Sequence, residues 1–181
     1  MPPEGITWDK TDAEWTAAAE RGLLVGLSAW LDLAVQQAKK LAPFKTGRLE
    51  REIKRDPASP TLVGPLLVSG EFGVSGLEYA AAHEFGSGIH DFKNPHTYEI
   101  KPRYAAVLAF KWPNAPEGLR DPNNPDKTFF FRVVNHPGVR AANKGQGYLR
   151  GAAEMTRNPI SGISGKTLMI DALKAELTRG V

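Results

Sequence analysis

The chain has 181 residues, of which 41% are hydrophobic and 24% charged, a composition typical of a globular protein with a sizeable core. Its net charge of +3 is mildly basic and falls well short of a dedicated nucleic-acid binder. It contains no cysteine, which excludes disulfides, thiol catalysis and cysteine-based zinc sites, and no apolar run is long enough to span a membrane. We therefore expect a single domain over residues 1–181, folded in a cytoplasm.

The first predicted element is a long helix over about residues 12–41. Residues 1–10 hold two prolines and a glycine and are predicted to be a flexible arm. Thr11 and Glu14 match a capping box, in which each side chain accepts from the backbone of the other. Apolar residues then recur at three- and four-residue steps until Pro43 ends the helix. We expect this helix to pack across a sheet.

Two glycines interrupt the helical pattern. Gly22 and Gly26 either weaken the helix locally or allow another element to approach closely. Beyond the helix, Thr46 and Gly47 open a short basic helical turn with the sequence GRLEREIK.

Strand-like segments come next. TLVGPLLVS and EFGVSG, residues 61–69 and 71–76, are predicted to pair with each other as a hairpin, with Pro65 marking an edge strand or a bulge. YAAAHEF, residues 79–85, predicts two turns of helix that end at Gly86.

The second half of the chain completes an α+β pattern. AAVLAFKW, residues 105–112, predicts a strand with one wet face, and FFFRVV, residues 129–134, predicts a central strand because it is apolar on both faces. The proline-rich segment 114–127 between them predicts a projecting hairpin loop. Helices are predicted over about 145–157 and 165–179. The predicted fold is a long N-terminal helix packed on an antiparallel β-sheet, with short helices at the C-terminus.

The four histidines do not have the spacing of a metal site. A zincin needs H-E-x-x-H, which places two histidines one helical turn apart. His83 and Glu84 are followed by His90 only after two helix-breaking glycines, and His96 and His136 lie in predicted loops. We therefore predict no metal ligands. A metal-dependent hydrolase remains an alternative, which would predict bound zinc in the purified protein.

No other catalytic pattern is supported. ISGISGKT, residues 160–167, ends like a phosphate-binding loop, but Ile160 stands where that motif needs its first glycine. Gly165, Lys166 and Thr167 are more simply a loop that opens the last helix. Neither serine of this segment sits in a G-x-S-x-G frame. We predict no catalytic residue and no cofactor.

Positive charge is concentrated in residues 39–55. Seven basic residues there stand against only Glu50 and Glu52, a local net charge of +5. Such a segment favours phosphates or an acidic protein surface, and it equally fits a solvated helix face. The candidate interface or DNA-proximal residues are Lys39, Lys40, Lys45, Arg48, Arg51, Lys54 and Arg55.

Four short segments form an ordered series: APFKTGRLEREI, YAAAHEFG, HPGV and GYLRGAAE. Together they resemble the neck or tail-completion proteins of long-tailed bacteriophages, also described as minor tail components or head–tail connectors. The family pattern runs A-P-x-x-T-G-x-L-x-x-S-I, then Y-A-x-x-x-E-F-G-T, then P-F-L-x-P-A. The matching residues are Ala42, Pro43, Thr46, Gly47, Leu49, Ile53, Tyr79, Ala80, Glu84, Phe85 and Gly86.

This chain departs from the family pattern in several places. Glu52 replaces the usual serine and Ser87 the usual threonine. The third block is looser, because GYLRGA takes the place of P-F-L-x-P-A. The segment 114–127 resembles an insertion, which suggests a contact peculiar to this phage.

The resemblance implies a structural protein of the virion neck with no catalysis. Such a protein is synthesised in the host cytoplasm and forms a closed ring of identical subunits, hexameric or dodecameric. The implied partners are further copies of the chain, a head-closure or adaptor protein and a tail terminator. Genomic DNA passes through the lumen, and no membrane is involved.

The resemblance also gives the segment YAAAHEFG a structural role. Tyr79 and Phe85 become core or interface anchors, and Gly86 supplies a positive φ that ends the helix. Glu84 becomes a buried or capping carboxylate, and our hypothesis pairs it with a basic residue of segment 45–55.

A different class of function remains open. A nucleic-acid-binding or nuclease-like module would use the basic segment 39–55, and its affinity for DNA would fall steeply with added salt.

Overall fold

The computed structural model describes most of the chain as a mixed α+β fold of helices and two-stranded antiparallel sheets. The predicted arm 1–10 and the predicted loop 114–127 lie outside the described residues. The residues that the structure describes are 11–91, 93–112, 128–157 and 164–179.

The chain divides into two compact units. The first comprises the residues up to Phe85 together with those from Arg140 onward, and the second comprises Gly86–Val139. That the whole chain behaves as one domain stays a prediction.

The long N-terminal helix has the predicted bounds. Helix α1 spans Asp12–Leu41, and its capping box is formed, with the Thr11 N–H donating to Glu14 Oε2 at 2.7 Å and the Glu14 N–H donating to Thr11 Oγ1 at 3.4 Å. The helix ends at Ala42, which is extended because a residue before proline disfavours the helical conformation.

Among the described residues, four shorter α-helices share the first unit with α1. Helices α4 and α5 pack along α1, and α1 also contacts the strands of this unit. A Cβ on Gly26 would lie 2.6 Å from the Cα of Met169, and one on Gly22 would lie 2.8 Å from the Cα of Leu173. The two glycines therefore permit the close approach of α5. The shorter helices are α2 (Arg48–Glu52), α3 (Glu78–Phe85), α4 (Tyr148–Arg157) and α5 (Gly165–Thr178).

The strands of the first unit form two antiparallel pairs, β1 with β4 and β2 with β3. The predicted pairing of residues 61–69 with 71–76 is wrong. The segment 61–69 folds back on itself instead, through a turn at Pro65 and Leu66, and Leu66 has a φ of 54°. The strands are β1 (Ile53–Arg55), β2 (Thr61–Gly64), β3 (Leu67–Ser69) and β4 (Phe72–Val74).

In the described part of the second unit, the strands form two further antiparallel pairs, β5 with β8 and β6 with β7. The prediction of a central strand at 129–134 is wrong, because the chain bends at Arg132 and the two halves join different ladders. The aromatic run instead lines the β6–β7 ribbon, where the Phe110 and Phe131 rings stack at 5.5 Å. The strands are β5 (Tyr98–Ile100), β6 (Leu108–Lys111), β7 (Thr128–Phe131) and β8 (Val134–His136).

The hydrophobic core lies in the first unit, between the C-terminal half of α1 and helices α2, α3 and α4. Tyr148 and Ile53 are its largest fully buried side chains. Among the described residues, every buried apolar side chain belongs to this unit. The cluster consists of Ala38, Leu49, Ile53, Ala80, Tyr148 and Ala152.

Candidate functional site

Three of the four segments that carry the family resemblance meet in one place in the first unit, whereas HPGV lies in the second unit. Leu49 and Ile53 from the first segment, Ala80 from the second, and Tyr148 and Ala152 from the last are all buried in the same cluster. Segments far apart in sequence therefore build one common core, which we call the signature corner.

The carboxylate of Glu84 caps helix α4 at this corner. The side chain is 3% exposed, and it accepts the backbone N–H of Leu149 at 2.7 Å and that of Arg150 at 3.0 Å. These are donors that the first turn of a helix leaves without an intrahelical partner, and the positive end of the helix dipole favours a carboxylate there. The prediction of a buried, capping Glu84 is confirmed.

The prediction that Glu84 pairs with a basic residue of segment 45–55 is wrong. Arg150 fills that role, because its Nε lies 3.3 Å from Glu84 Oε1 and its Nη2 donates to the Glu84 carbonyl at 3.2 Å. The basic segment 45–55 supplies no ion-pair partner for Glu84 among the contacts of the described residues. One residue of α4 thus contributes both its backbone and its side chain to the same carboxylate.

Gly147 lets the backbone approach Glu84 closely. Its φ is +83°, a conformation that L side chains rarely adopt, and a Cβ there would lie 2.6 Å from both the Oε1 and the carbonyl oxygen of Glu84. Glycine is therefore required at position 147 for two reasons: the left-handed backbone conformation, and the lack of space for a Cβ beside Glu84.

Tyr148 is the first residue of α4, and its side chain is 1% exposed. Burial, with the nearby Glu84 charge as the second cause, raises the pKa of Tyr148 to about 12. Both effects disfavour the ionised phenolate. Tyr148 is therefore a neutral core residue across the physiological range.

Tyr79 and Phe85 are not core anchors. They are 41% and 45% exposed, and Phe85 lies under the Arg150 guanidinium, with Cζ 5.6 Å from the ring centroid. Their role as interface anchors stays a prediction. Gly86 has the predicted positive φ, at +80°.

The segment after α1 forms a tight turn that exposes an aromatic ring. Gly47 has a φ of +69° at the start of α2, and the Thr46 carbonyl accepts from Arg51 Nη1 at 3.3 Å. Phe44 packs over Gly47 yet remains 78% exposed, beside the exposed Pro43. The buried Leu49 of the same segment anchors this turn to the core.

The basic segment 39–55 divides into two parts. Lys54 pairs with Glu52 at 3.0 Å and the half-buried Arg55 with Asp32 at 3.4 Å, so this end is locally neutralised. An open cavity of about 350 Å³ beside β1 and β4 is likewise mixed in charge, being lined by these two cations and by Glu52, Asp56 and Glu71. The other end, near Phe44, carries the half-buried Lys39 and the exposed Lys40, Lys45, Arg48 and Arg51.

The histidines do not gather. His96 Nδ1 lies 2.6 Å from the Asn94 carbonyl, and His136 stacks on Tyr98 with its ring centroid 5.2 Å away. His83 lies edge-on to the ring of an exposed tyrosine in α3. Within the described ranges, no group of three or more His, Asp or Glu side chains has an arrangement that could hold a metal ion.

The segment that resembled a phosphate loop is partly outside the described residues. Its described end starts α5, where Ser164 Oγ accepts the N–H of Thr167 at 3.0 Å. The last helix begins at this segment as predicted, but Gly165, Lys166 and Thr167 form its first turn and not a loop before it.

No family model, curated protein or solved structure matches the chain. In the part of the chain that the structure describes, every helix is too short or too polar to cross a membrane.

Sequence reasoning missed Arg150 and Gly147 as members of the corner. A signal was present, because α4 begins after a glycine, without the Ser, Thr, Asp or Asn that usually caps a helix locally. Such an uncapped start indicates an acceptor from elsewhere in the chain, and the buried Glu84 is that acceptor.

Proposed function

We propose that this chain is a structural protein of the phage neck, forming a ring that joins the DNA-filled head to the tail. The observation that carries the proposal is the signature corner. Three of the four segments on which the family resemblance rests contribute to one buried cluster, and Glu84 caps the helix that contains Tyr148. Segments that match the family pattern and serve to build the core fit a protein with a structural role in assembly.

The geometry of Glu84 supports a role without catalysis. Its two carboxylate oxygens accept two backbone N–H groups and one guanidinium N–H, and the side chain is nearly sealed from solvent. A general base needs a free acceptor within reach of the substrate proton. Glu84 is poorly placed for that role, because it is 3% exposed and already accepts from three donors.

The ring would contact a head-closure or adaptor protein on one side and a tail terminator on the other, with genomic DNA in its lumen. Exposed aromatic side chains such as Tyr79 and Phe85 suit interfaces of this kind. The virion neck is the proposed location.

Electron microscopy of particles made without this gene tests the proposal. We expect filled heads and complete tails that lie unjoined, and supplying the wild-type protein should restore joined particles. Intact, infectious virions in the absence of the gene would overturn the neck role.

A second candidate is nucleic-acid binding by the basic end near Phe44. Its support is the exposure of Lys40, Lys45, Arg48 and Arg51 around an exposed ring, without ion-pair partners among the described residues. Neutralising phosphates with these cations would make the affinity for DNA fall steeply with salt.

A DNA-binding assay at two salt concentrations separates the candidates. The variant pair Lys45→Gln with Arg48→Gln tests the exposed end, and Lys54→Gln, whose side chain already pairs with Glu52, is the control. A dedicated binder should lose affinity in the first variant alone, whereas a neck protein should bind free DNA poorly throughout.

A further inference from the structure

The β2–β3 hairpin carries an unusual cluster of exposed aliphatic side chains. Leu62, Val63, Leu66 and Leu67 are 44–59% exposed, and they lie within six consecutive residues. We call these four side chains the hairpin tip. Exposed apolar side chains that are grouped in one short segment, unlike scattered ones, are typical of interaction sites.

The turn itself favours a different residue at position 66. Pro65 precedes Leu66, whose φ of 54° lies in the left-handed region, the pattern of type II turns in which glycine or asparagine is preferred. Leucine therefore costs free energy in this conformation and also exposes apolar surface. Contact with a partner would account for an apolar residue at this position.

The hairpin contacts α1 at its turn and along β3. The Leu66 N–H lies 3.4 Å from Glu20 Oε1, and β3 packs against the same helix. A tip that is anchored at its turn can present its side chains without losing much further freedom on binding.

The same unit contains an apolar cavity that is open to solvent. It has a volume of about 350 Å³, and it lies between α1, the end of β3 and α4. We call it the apolar cavity. Its apolar lining side chains are Leu27, Trp30, Leu31, Ala34, Val68, Phe72 and Ala153, so the hairpin's own strand β3 forms one wall. A cavity of this size and lining suits aliphatic side chains.

Charges beside the two features are complementary. The acidic Glu20 lies at the tip, whereas the exposed Arg157 lies one helical turn beyond Ala153 on the cavity side of α4. Within the described residues, neither forms an ion pair in its own chain. In a contact between copies, the acid of one and the cation of the next would face each other.

We propose that the hairpin tip inserts into the apolar cavity of a second copy of this chain. The proposal rests on the proposed function in taking the partner to be another subunit. Because a protruding patch and its complementary cavity lie on one chain, a contact of this kind closes into a ring when the rotation between subunits permits.

Cross-linking between single-cysteine variants tests this contact directly, since the natural chain has no cysteine. Leu66→Cys and Ala153→Cys, carried on chains of different size, are mixed and treated with a short thiol cross-linker. We expect a mixed product. The control replaces Ala153→Cys with Thr16→Cys, an exposed site about 20 Å from Trp30 along α1, which should give little product.

The variant Leu66→Gly separates binding from folding. Glycine relieves the strain of the left-handed conformation, so thermal stability should stay equal or rise. The dissociation constant for self-association should increase at least about tenfold. Ile170→Ala, which removes exposed apolar surface on α5 outside the hairpin, should leave self-association unchanged.

Several results would overturn the docking proposal. The first is a chain that stays monomeric at about 1 mM in sedimentation. The second is an oligomer in which Leu66→Cys gives no more cross-linked product with Ala153→Cys than with Thr16→Cys. The third is binding to lipid vesicles that depends on Leu66. If particles lacking the gene are unjoined while Leu66→Gly restores them fully, the neck role stands and the docking falls. Intact virions without the gene would overturn the neck role, whatever the cross-links show.

Discussion

The carboxylate of Glu84 accepts the backbone N–H of Leu149 at 2.7 Å, across 65 positions of sequence. This hydrogen bond ties the end of α3 to the start of α4, where no local side chain caps the helix. A buried N–H group without an acceptor lowers the stability of the folded state. The first N–H groups of α4 therefore depend on α3 for their acceptor. The corner is therefore expected to fold as one cooperative piece.

Replacing Glu84→Gln should destabilise the protein measurably. Glutamine keeps the length of the side chain, but it removes the charge and turns one acceptor into a donor facing backbone N–H groups. We expect the free energy of unfolding to fall by about 1–3 kcal/mol. Urea denaturation at neutral pH measures it. Glu78→Gln, at the exposed start of the same helix, is the control and should change the value by less than about 0.5 kcal/mol. Equal effects of the two substitutions would contradict the capping role.

Gly147→Ala probes the backbone that approaches Glu84. The methyl group meets both the left-handed conformation and two oxygens 2.6 Å away, so a loss of at least about 2 kcal/mol is expected. Gly145→Ala is the matched control, because Gly145 has a φ of +95° with nothing within 4 Å of its Cβ position. The difference between the two, read from the same denaturation curves, isolates the crowding at Glu84. No difference would mean that the corner relaxes freely.

Local signals in the sequence predicted the helices closely. The capping box at Thr11, the proline after Ala42 and the glycine after Phe85 each act within a few residues, so the ends of α1 and α3 followed from the chain alone. The buried, capping state of Glu84 was also predicted correctly, although from a resemblance and not from spacing.

The pairing of strands and of charges was not predictable in the same way. EFGV pairs with residues 53–55 because the segment 61–69 turns back at Leu66, a position where leucine gives no sign of a turn. Glu84 pairs with Arg150, and not with the basic residues that are nearer in sequence, because α4 directs the Arg150 side chain and two backbone N–H groups at the same carboxylate. Both outcomes are set by tertiary packing, which a local pattern does not encode.

Tyr148 should make stability fall at alkaline pH. The pKa of Tyr148 is about 12 in the folded protein, against an ordinary value of 10.0. Below pH 10 the phenol is protonated in both the folded and the unfolded state, so its contribution to the free energy of unfolding is fully present. As pH rises from 10 to 12, the unfolded chain ionises first, and we expect about 2 kcal/mol to be lost. Urea denaturation at pH 9 and pH 11.5 checks this.

Tyr148→Phe cannot ionise, so its stability should fall less than that of the wild-type protein over the same interval. Tyr104→Phe, at a tyrosine that is 89% exposed, should follow the wild-type curve. Parallel curves for Tyr148→Phe and the wild-type protein would show that other groups cause the alkaline loss.

In Gly26→Ala, two physical effects change the free energy of unfolding in opposite directions. Alanine favours the helix by about 1 kcal/mol over glycine, so an exposed position would gain stability. At Gly26, however, the Cβ would lie 2.6 Å from the Cα of Met169, and α5 would have to move away from α1. We expect the packing term to prevail and the free energy of unfolding to fall by at least about 1 kcal/mol. Gly73→Ala serves as the comparison, because nothing lies within 4 Å of its Cβ position, and it should be close to neutral. A stabilised Gly26→Ala variant would mean that α5 adjusts without cost, and that the glycine pair does not fix the distance between the two helices.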